Sequence, residues 1–176
     1  MRILVVSDSH GNIVRLKHVI GYANAQKLDA IIHCGDWDNP GAVLIMKDLS
    51  ARLDSAKRAG KAGAEIPVYG VLGNADVDSQ MVASLRNTNV NFSVDFLKLG
   101  LGGRSIGVCH FPGKLGTAIR SQEYDVLFHG HTHKKKDKLF GRTKVVNPGA
   151  LQKTLVPSFA VYDTEKNSME FVDIAI

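Results

Sequence analysis

The sequence predicts an α/β fold in which two β-sheets pack face to face with helices outside them. Three observations lead there. In the first half, apolar runs alternate with amphipathic stretches of helical period, the signature of βαβ units and a largely parallel sheet. From about Asn91 the spacing shortens, and strand patterns follow one another directly. Five of the apolar runs each stop at a residue able to bind a metal.

Taken in order, Ile3-Leu4-Val5-Val6 forms the first strand and runs into Asp8 and His10. Asn12 can cap the helix that follows, because its side chain can accept from an amide of the first turn, and Ile13, Leu16, Ile20 and Ala23 recur at helical intervals. Ala30-Ile31-Ile32 is the second strand and leads to Asp36. From Gly41 to about Ala59, Val43, Met46, Leu49 and Leu53 share one face of a surface helix, with Lys47, Arg52, Lys57 and Arg58 elsewhere on it. Gly60-Lys61-Ala62-Gly63 ends it, and Pro67 precedes a third strand, Val68-Tyr69-Gly70-Val71-Leu72, that leads to Asn74. Later strands are expected at Phe92–Leu99, Arg104–Cys109, Asp125–Phe128, Lys144–Val146, Phe159–Tyr162 and Met169–Ile174. The second of these ends at His110 and the third leads to His131 and His133. Gly100, Gly102 and Gly103 mark a turn, and Asp163 to Ser168 reads as a hairpin loop.

Length and composition bound the function. A chain of 176 residues suits one hydrophobic core, so residues 1–176 are expected to form a single domain. Hydrophobic content of 44% and charged content of 22% are ordinary for a globular protein and argue against disorder. No apolar stretch approaches the roughly 20 residues of a membrane span, and the run before Asp8 is too short for a signal peptide. A cytoplasmic protein is expected, and two cysteines without paired spacing, Cys34 and Cys109, fit a reducing compartment. The net charge of +5 suits an anionic partner such as a phosphate ester or nucleic acid, though it is also a common solubility device. With aromatics at 7% and no basic-aromatic interleaving, nucleic acid is not the favoured partner.

The chemistry follows from where the strands stop. In open α/β sheets, ligands bind at the carboxyl ends of strands, so seven donors would converge on one rim: Asp8, His10, Asp36, Asn74, His110, His131 and His133. Carboxylate, amide and imidazole together suit manganese, iron, nickel or zinc better than magnesium or calcium. Seven protein donors are too many for one ion that must also hold water. Two ions sharing a carboxylate solve the count, and such a pair can hold a hydroxide for in-line attack on phosphorus.

The ordered set Asp8-Ser9-His10-Gly11-Asn12, Gly35-Asp36, Gly73-Asn74-Ala75-Asp76, His110 and Gly130-His131-Thr132-His133, followed by Asn147-Pro148-Gly149, resembles the calcineurin-like metallophosphoesterase superfamily. Its small single-domain YfcE-type phosphodiesterases match best. The resemblance covers essentially the whole chain and implies the family's four-layer α/β-β/α architecture. It also implies that Asp8, His10, Asp36 and His133 hold one ion while Asn74, His110 and His131 hold the second, with Asp36 bridging. The cofactors implied are two divalent ions, manganese first, with nickel, iron, zinc or magnesium as alternatives. The activity implied is hydrolysis of a small phosphodiester, with Asp36, Asn74, His110 and Asp76 as the candidate catalytic residues. Phosphatase branches of the family place a histidine after the asparagine to protonate the leaving group; here Ala75 stands there, which favours diesters with good leaving groups.

Other residues have two readings each. Asp76 could orient a ligand histidine or water, or stabilise a turn, and Asp38 could accept from a histidine or be a loop carboxylate. Trp37 could cover the mouth of the site or pack under the next helix. His18 reads as a surface residue, His33 as a satisfied core histidine, and His129 could support the donors from behind. Phe111 and Pro112 would narrow the pocket wall beside His110. Lys134-Lys135-Lys136 could draw in an anion, but a solvated loop is the simpler reading. Two further functions stay open: a non-catalytic scaffold similar to the small retromer subunit, and a nuclease. The stretch between Asp36 and Gly73 could cap the pocket or form a homo-oligomer contact.

Overall fold

The computed structural model describes residues 1–46, 66–76, 79–88 and 90–175. Strand β1 (Arg2–Val6) lies centrally in a six-stranded sheet, parallel to β2 (Ala30–His33) on one side and antiparallel to β10 (Ser158–Asp163) on the other. Beyond β2 come β3 (Val68–Val71) and β4 (Asn91–Ser93), both parallel, and β11 (Ser168–Asp173) closes the far edge beside β10. The second sheet has five strands in the order β5 (Phe96–Leu101), β6 (Arg104–Cys109), β7 (Val126–Phe128), β9 (Thr143–Asn147) and β8 (Lys136–Phe140). Within it β6, β7 and β9 run parallel.

The two-residue period of the strands sorts side chains into layers. Ile3, Val5, Ala30, Ile32 and Val71 from the first sheet meet Ile106, Val108, Val126, Phe128 and Val146 from the second, forming the buried seam between them. The alternate residues Leu4, Val6, Ile31 and Val68 face outward onto helices. There they meet Leu16, Val19 and Ile20 of α1 (Ile13–Ala25), Val43 and Met46 of α2 (described over 40–46), and Met81 and Leu85 of α3 (Ser79–Arg86). On the outer face of the second sheet, Leu127, Val145 and Tyr124 pack against Leu115 and against Ala118 and Ile119 of α4 (Gly116–Ser121). The result is the expected α/β-β/α stack. No helix among the described residues is long and apolar enough to cross a membrane.

Local expectations hold at α1, where the Asn12 side chain accepts from Arg15 N at 3.0 Å. For the surface helix, Val43 and Met46 are buried as predicted; Leu49, Leu53, the cations Lys47, Arg52, Lys57 and Arg58, and the Gly60–Gly63 turn lie outside the described residues. Two expectations are corrected. The single strand at Phe92–Leu99 is two strands in different sheets: β4 pairs with β3, the chain bends at Val94-Asp95, and β5 pairs with β6. The loop expected after Lys134 gives way at Lys136 to β8, an exposed edge strand. The turn after β5 is made by Gly102 and Gly103, both at positive φ, while Gly100 stays within the strand.

Candidate metal centre

Every predicted donor lies just past the carboxyl end of β1, β2, β3, β6 or β7, and because these strands run parallel within each sheet the ends share one rim. Backbone bonds lock the loops together beyond the sheets. Asp8 N donates to Gly35 O (3.0 Å), His10 N to Asp36 O (3.0 Å) and Gly11 N to Trp37 O (2.8 Å), continuing the pairing of β1 with β2. Gly130 N donates to His110 O at 3.1 Å, and His131 N crosses between the sheets to the Asp8 carboxylate at 3.1 Å.

The donors fall into two groups that touch. Asp8, His10, Asp36 and His133 each offer a ligand atom, and these four atoms lie within 4.8 Å of one another. Beside them, Asn74 Oδ1 stands 3.2 Å from His110 Nε2 and 3.0 Å from His131 Nδ1. Asp36 joins the groups: its Oδ2 is 3.5 Å from His10 Nε2 and 3.5 Å from His110 Nε2. His10 Nε2 is buried with no hydrogen-bond partner, an arrangement that folding rarely leaves without purpose. Two carboxylates, an amide oxygen and four imidazoles fit divalent ions of the first transition row.

The backbone at the rim is held in an unusual conformation. Asp8, His10, Asp36, His131 and His133 all have left-handed φ, between +42° and +68°. Such residues cost on the order of 1 kcal/mol or more each and persist where the surroundings impose them, typically at functional sites.

Electrostatics distinguish the two carboxylates. Burial pushes Asp36 up, but the bond to His110, the amide of Ala75 (2.8 Å) and the charges of His110 and His10 outweigh it, and its pKa falls to about 2. Asp36 is therefore an ionised carboxylate near neutral pH. Asp8 is raised, by burial first and by the charge of Asp36 last, against Ser7, His110 and His133. A cation beside it would reverse that balance. His110 loses basicity to burial and regains more from Asp36 and the Cys34 carbonyl, so its pKa is raised.

Residues 1–167 match the calcineurin-like phosphoesterase superfamily domain. The chain belongs to that superfamily. It is 26% identical to phosphodiesterase MJ0936 of Methanocaldococcus jannaschii over 171 residues, covering 94% of this chain and 95% of the relative. The solved structure of a novel archaeal phosphodiesterase covers 99% of this chain and 100% of its own, with a TM-score of 0.78 at 22% identity. YfcE, a phosphoesterase from E. coli, covers 99% and 100% with a TM-score of 0.68 at 16% identity. These two structural likenesses concern the fold.

Around the candidate donors of this calcineurin-like chain, most residues with two readings acquire a definite contact. Asp38 Oδ2 lies 3.3 Å from His10 Nδ1, which leaves Nε2 turned inward. Asp76 is buried, and its carboxylate accepts from Gly73 N (2.9 Å) and Asp38 N (2.8 Å), so it ties together the loops that carry Asn74 and Asp36. Trp37 is fully buried, stacks on His33 at 3.7 Å and donates to Val71 O; it packs under α2 and does not cover the mouth. His33 bonds Ser9 Oγ at 3.0 Å, and burial pulls its pKa down to about 3. His129 is lowered by burial to about 4 and lies 2.9 Å from Gly130 O, behind the loop of His131. Phe111 packs its ring 4.9 Å from both His110 and His131, the apolar wall expected there. His18 is exposed, and both cysteines are buried and free.

Three further residues support the rim. Asn147 Nδ2 donates to Gly130 O (2.9 Å) and Thr132 Oγ1 (3.0 Å), fastening the loop between His131 and His133. Arg15 and Lys153 hold or touch the rim from a helix and a loop. Only the turn containing Asn147 stood out as a motif; an arginine on a helix and a lysine in a polar stretch are indistinguishable from solvated charges.

Proposed function

We propose that this chain is a metal-dependent phosphodiesterase, acting as one domain and holding two divalent ions at the rim. Asp8, His10, Asp36 and His133 would hold one ion, and Asn74, His110, His131 and Asp36 the other. Manganese is the first candidate, and nickel, iron, zinc and magnesium follow. The observation that carries the reading is the position of Asp36 Oδ2, 3.5 Å from each of two imidazole nitrogens that belong to different donor groups. A carboxylate held ionised at that point is what a shared ligand requires.

Bound there, two divalent cations supply acidification of water and electrostatic stabilisation of the phosphoryl oxygens. The chain's own groups supply the frame. Asp36 is fixed by Ala75 N, Asp8 by His131 N, and His110 by the Cys34 carbonyl at 2.9 Å from its Nδ1. His110 and His131, with Phe111 against them, form the wall that would meet the ester. Because Ala75 offers no acid, the leaving group must depart with little help from the protein. Substrates with good leaving groups are favoured, and a small phosphodiester fits better than an alkyl monoester.

Two comparisons test this. With manganese, nickel or magnesium added, an aryl phosphodiester should turn over faster than its monoester. Asp36→Ala should abolish that turnover while circular dichroism stays unchanged. A folded Asp36→Ala protein that keeps its activity contradicts the shared-ligand mechanism, and a monoester rate far above the diester rate contradicts the substrate class.

A further inference from the structure

The loop after Asn147-Pro148-Gly149 brings a cation to the mouth of the site. Lys153 Nζ stands 3.1 Å from His10 Nδ1, and the carbonyl oxygen of the same residue stands 3.0 Å from His133 Nδ1. One residue thus reaches the outer nitrogens of two histidines in the first donor group. Among the described residues, no other lysine or arginine has its charged group at hydrogen-bond or ion-pair distance from a donor side chain.

The placement is built. Leu151 N donates to Ser7 O (3.2 Å) and Gln152 N to Asp8 O (3.1 Å), which pins the loop along the end of β1. From α1 and its cap, the Arg15 guanidinium and Asn12 Nδ2 donate to Gln152 Oε1 at 2.7 and 3.0 Å. Lys153 itself has a φ of +55°, a conformation a lysine keeps only where its neighbours impose it.

The contact with His10 competes with another for the same nitrogen. An ammonium only donates, and an imidazole nitrogen has a single hydrogen-bonding direction. Asp38 Oδ2 competes for the same Nδ1 and, as an acceptor, requires a hydrogen on it. When Asp38 holds that hydrogen, the lone pair of Nε2 faces Asp36 and Nδ1 has nothing to offer Lys153. No carboxylate among the described residues lies within ion-pair distance of Nζ. Among the described residues, that cation therefore has no anionic partner.

We propose that Lys153 is a substrate-binding residue: its ammonium takes a free phosphoryl oxygen of the substrate on the side of His10 and His133. This deepens the phosphoesterase reading and rests on it. A charge-assisted bond from an ammonium to a phosphoryl oxygen is about twice as strong as a neutral one, and it would fix which oxygen faces the first donor group. Lys153 would thereby set orientation as well as affinity.

Inorganic phosphate is the probe. Calorimetric titration of phosphate into the manganese-saturated protein, wild type against Lys153→Met and Lys153→Arg, reads binding directly, and a manganese titration of each variant reads the donors. Lys153→Met should weaken phosphate about tenfold and raise KM for bis(p-nitrophenyl) phosphate by a similar factor. Lys153→Arg should recover most of the loss, and manganese affinity should be the same in all three proteins. Equal phosphate affinity in wild type and Lys153→Met overturns the proposal. So does a loss explained by weaker manganese binding, which would mean that Lys153 merely positions His10, and so does a wild type that binds no phosphate. A wild type that binds phosphate but hydrolyses no diester would count against the proposed function, while the titrations would still decide the role of Lys153.

Discussion

Gly73 shows how closely single residues are fitted around Asp36. A methyl group on it would stand 2.5 Å from Asp36 N and collide with Asp36 Oδ1, so neither the loop nor the carboxylate could keep its place. Gly73→Ala should therefore fold but lower diesterase activity about 100-fold, the usual consequence of moving a reactive group by an ångström. Steady-state rates alongside far-ultraviolet circular dichroism check this, and wild-type activity would show that Asp36 tolerates displacement. At this scale the candidate donors were legible only as an ordered set at successive strand ends, because a single Asp or His there is an ordinary turn or satisfied polar residue. Their left-handed backbone was not. Nothing in Asp8, His10 or Asp36 as letters signals a positive φ; it arises from bonds made to residues far along the chain, such as Gly35 and His131.

At the scale of elements, α1 does two things at once. Asn12 caps it through Arg15 N, and the same side chain reaches Gln152 Oε1 on the loop that carries Lys153. Loss of a cap alone costs about 1 kcal/mol. Asn12→Ala should lower unfolding stability by about 1–2 kcal/mol in a denaturant titration, because a loop contact goes with the cap. An unchanged midpoint would mean that the cap is replaced by water at no loss. The central strands and α1 were readable because their apolar period is strong and fully buried. The elements that escaped are those with little burial to impose a period: α4 buries no residue, α3 buries only Met81 and Leu85, and β8 is exposed along most of its length. β8 also carries Lys136 and Lys138, and lysines on an exposed edge protect it from pairing with other chains while making it look like a loop. The break between β4 and β5 was hidden for another reason: Val94 suits a strand, and only the transfer of the chain from one sheet to the other requires the bend.

Across the whole molecule, the proposed function depends on two sheets ending at one place. β1, β2 and β3 deliver Asp8, His10, Asp36 and Asn74, while β6 and β7 deliver His110, His131 and His133, and the buried seam between Val5, Ile32 and Val71 and Val108 and Phe128 sets their separation. Neither sheet alone holds either donor group: His133 joins Asp8 in the first, and Asn74 joins His110 in the second. The most direct test is anomalous scattering from crystals grown with manganese. Two peaks should appear, one among Asp8, His10, Asp36 and His133 and one among Asn74, His110, His131 and Asp36. A single peak, or peaks that do not share Asp36, would contradict the account.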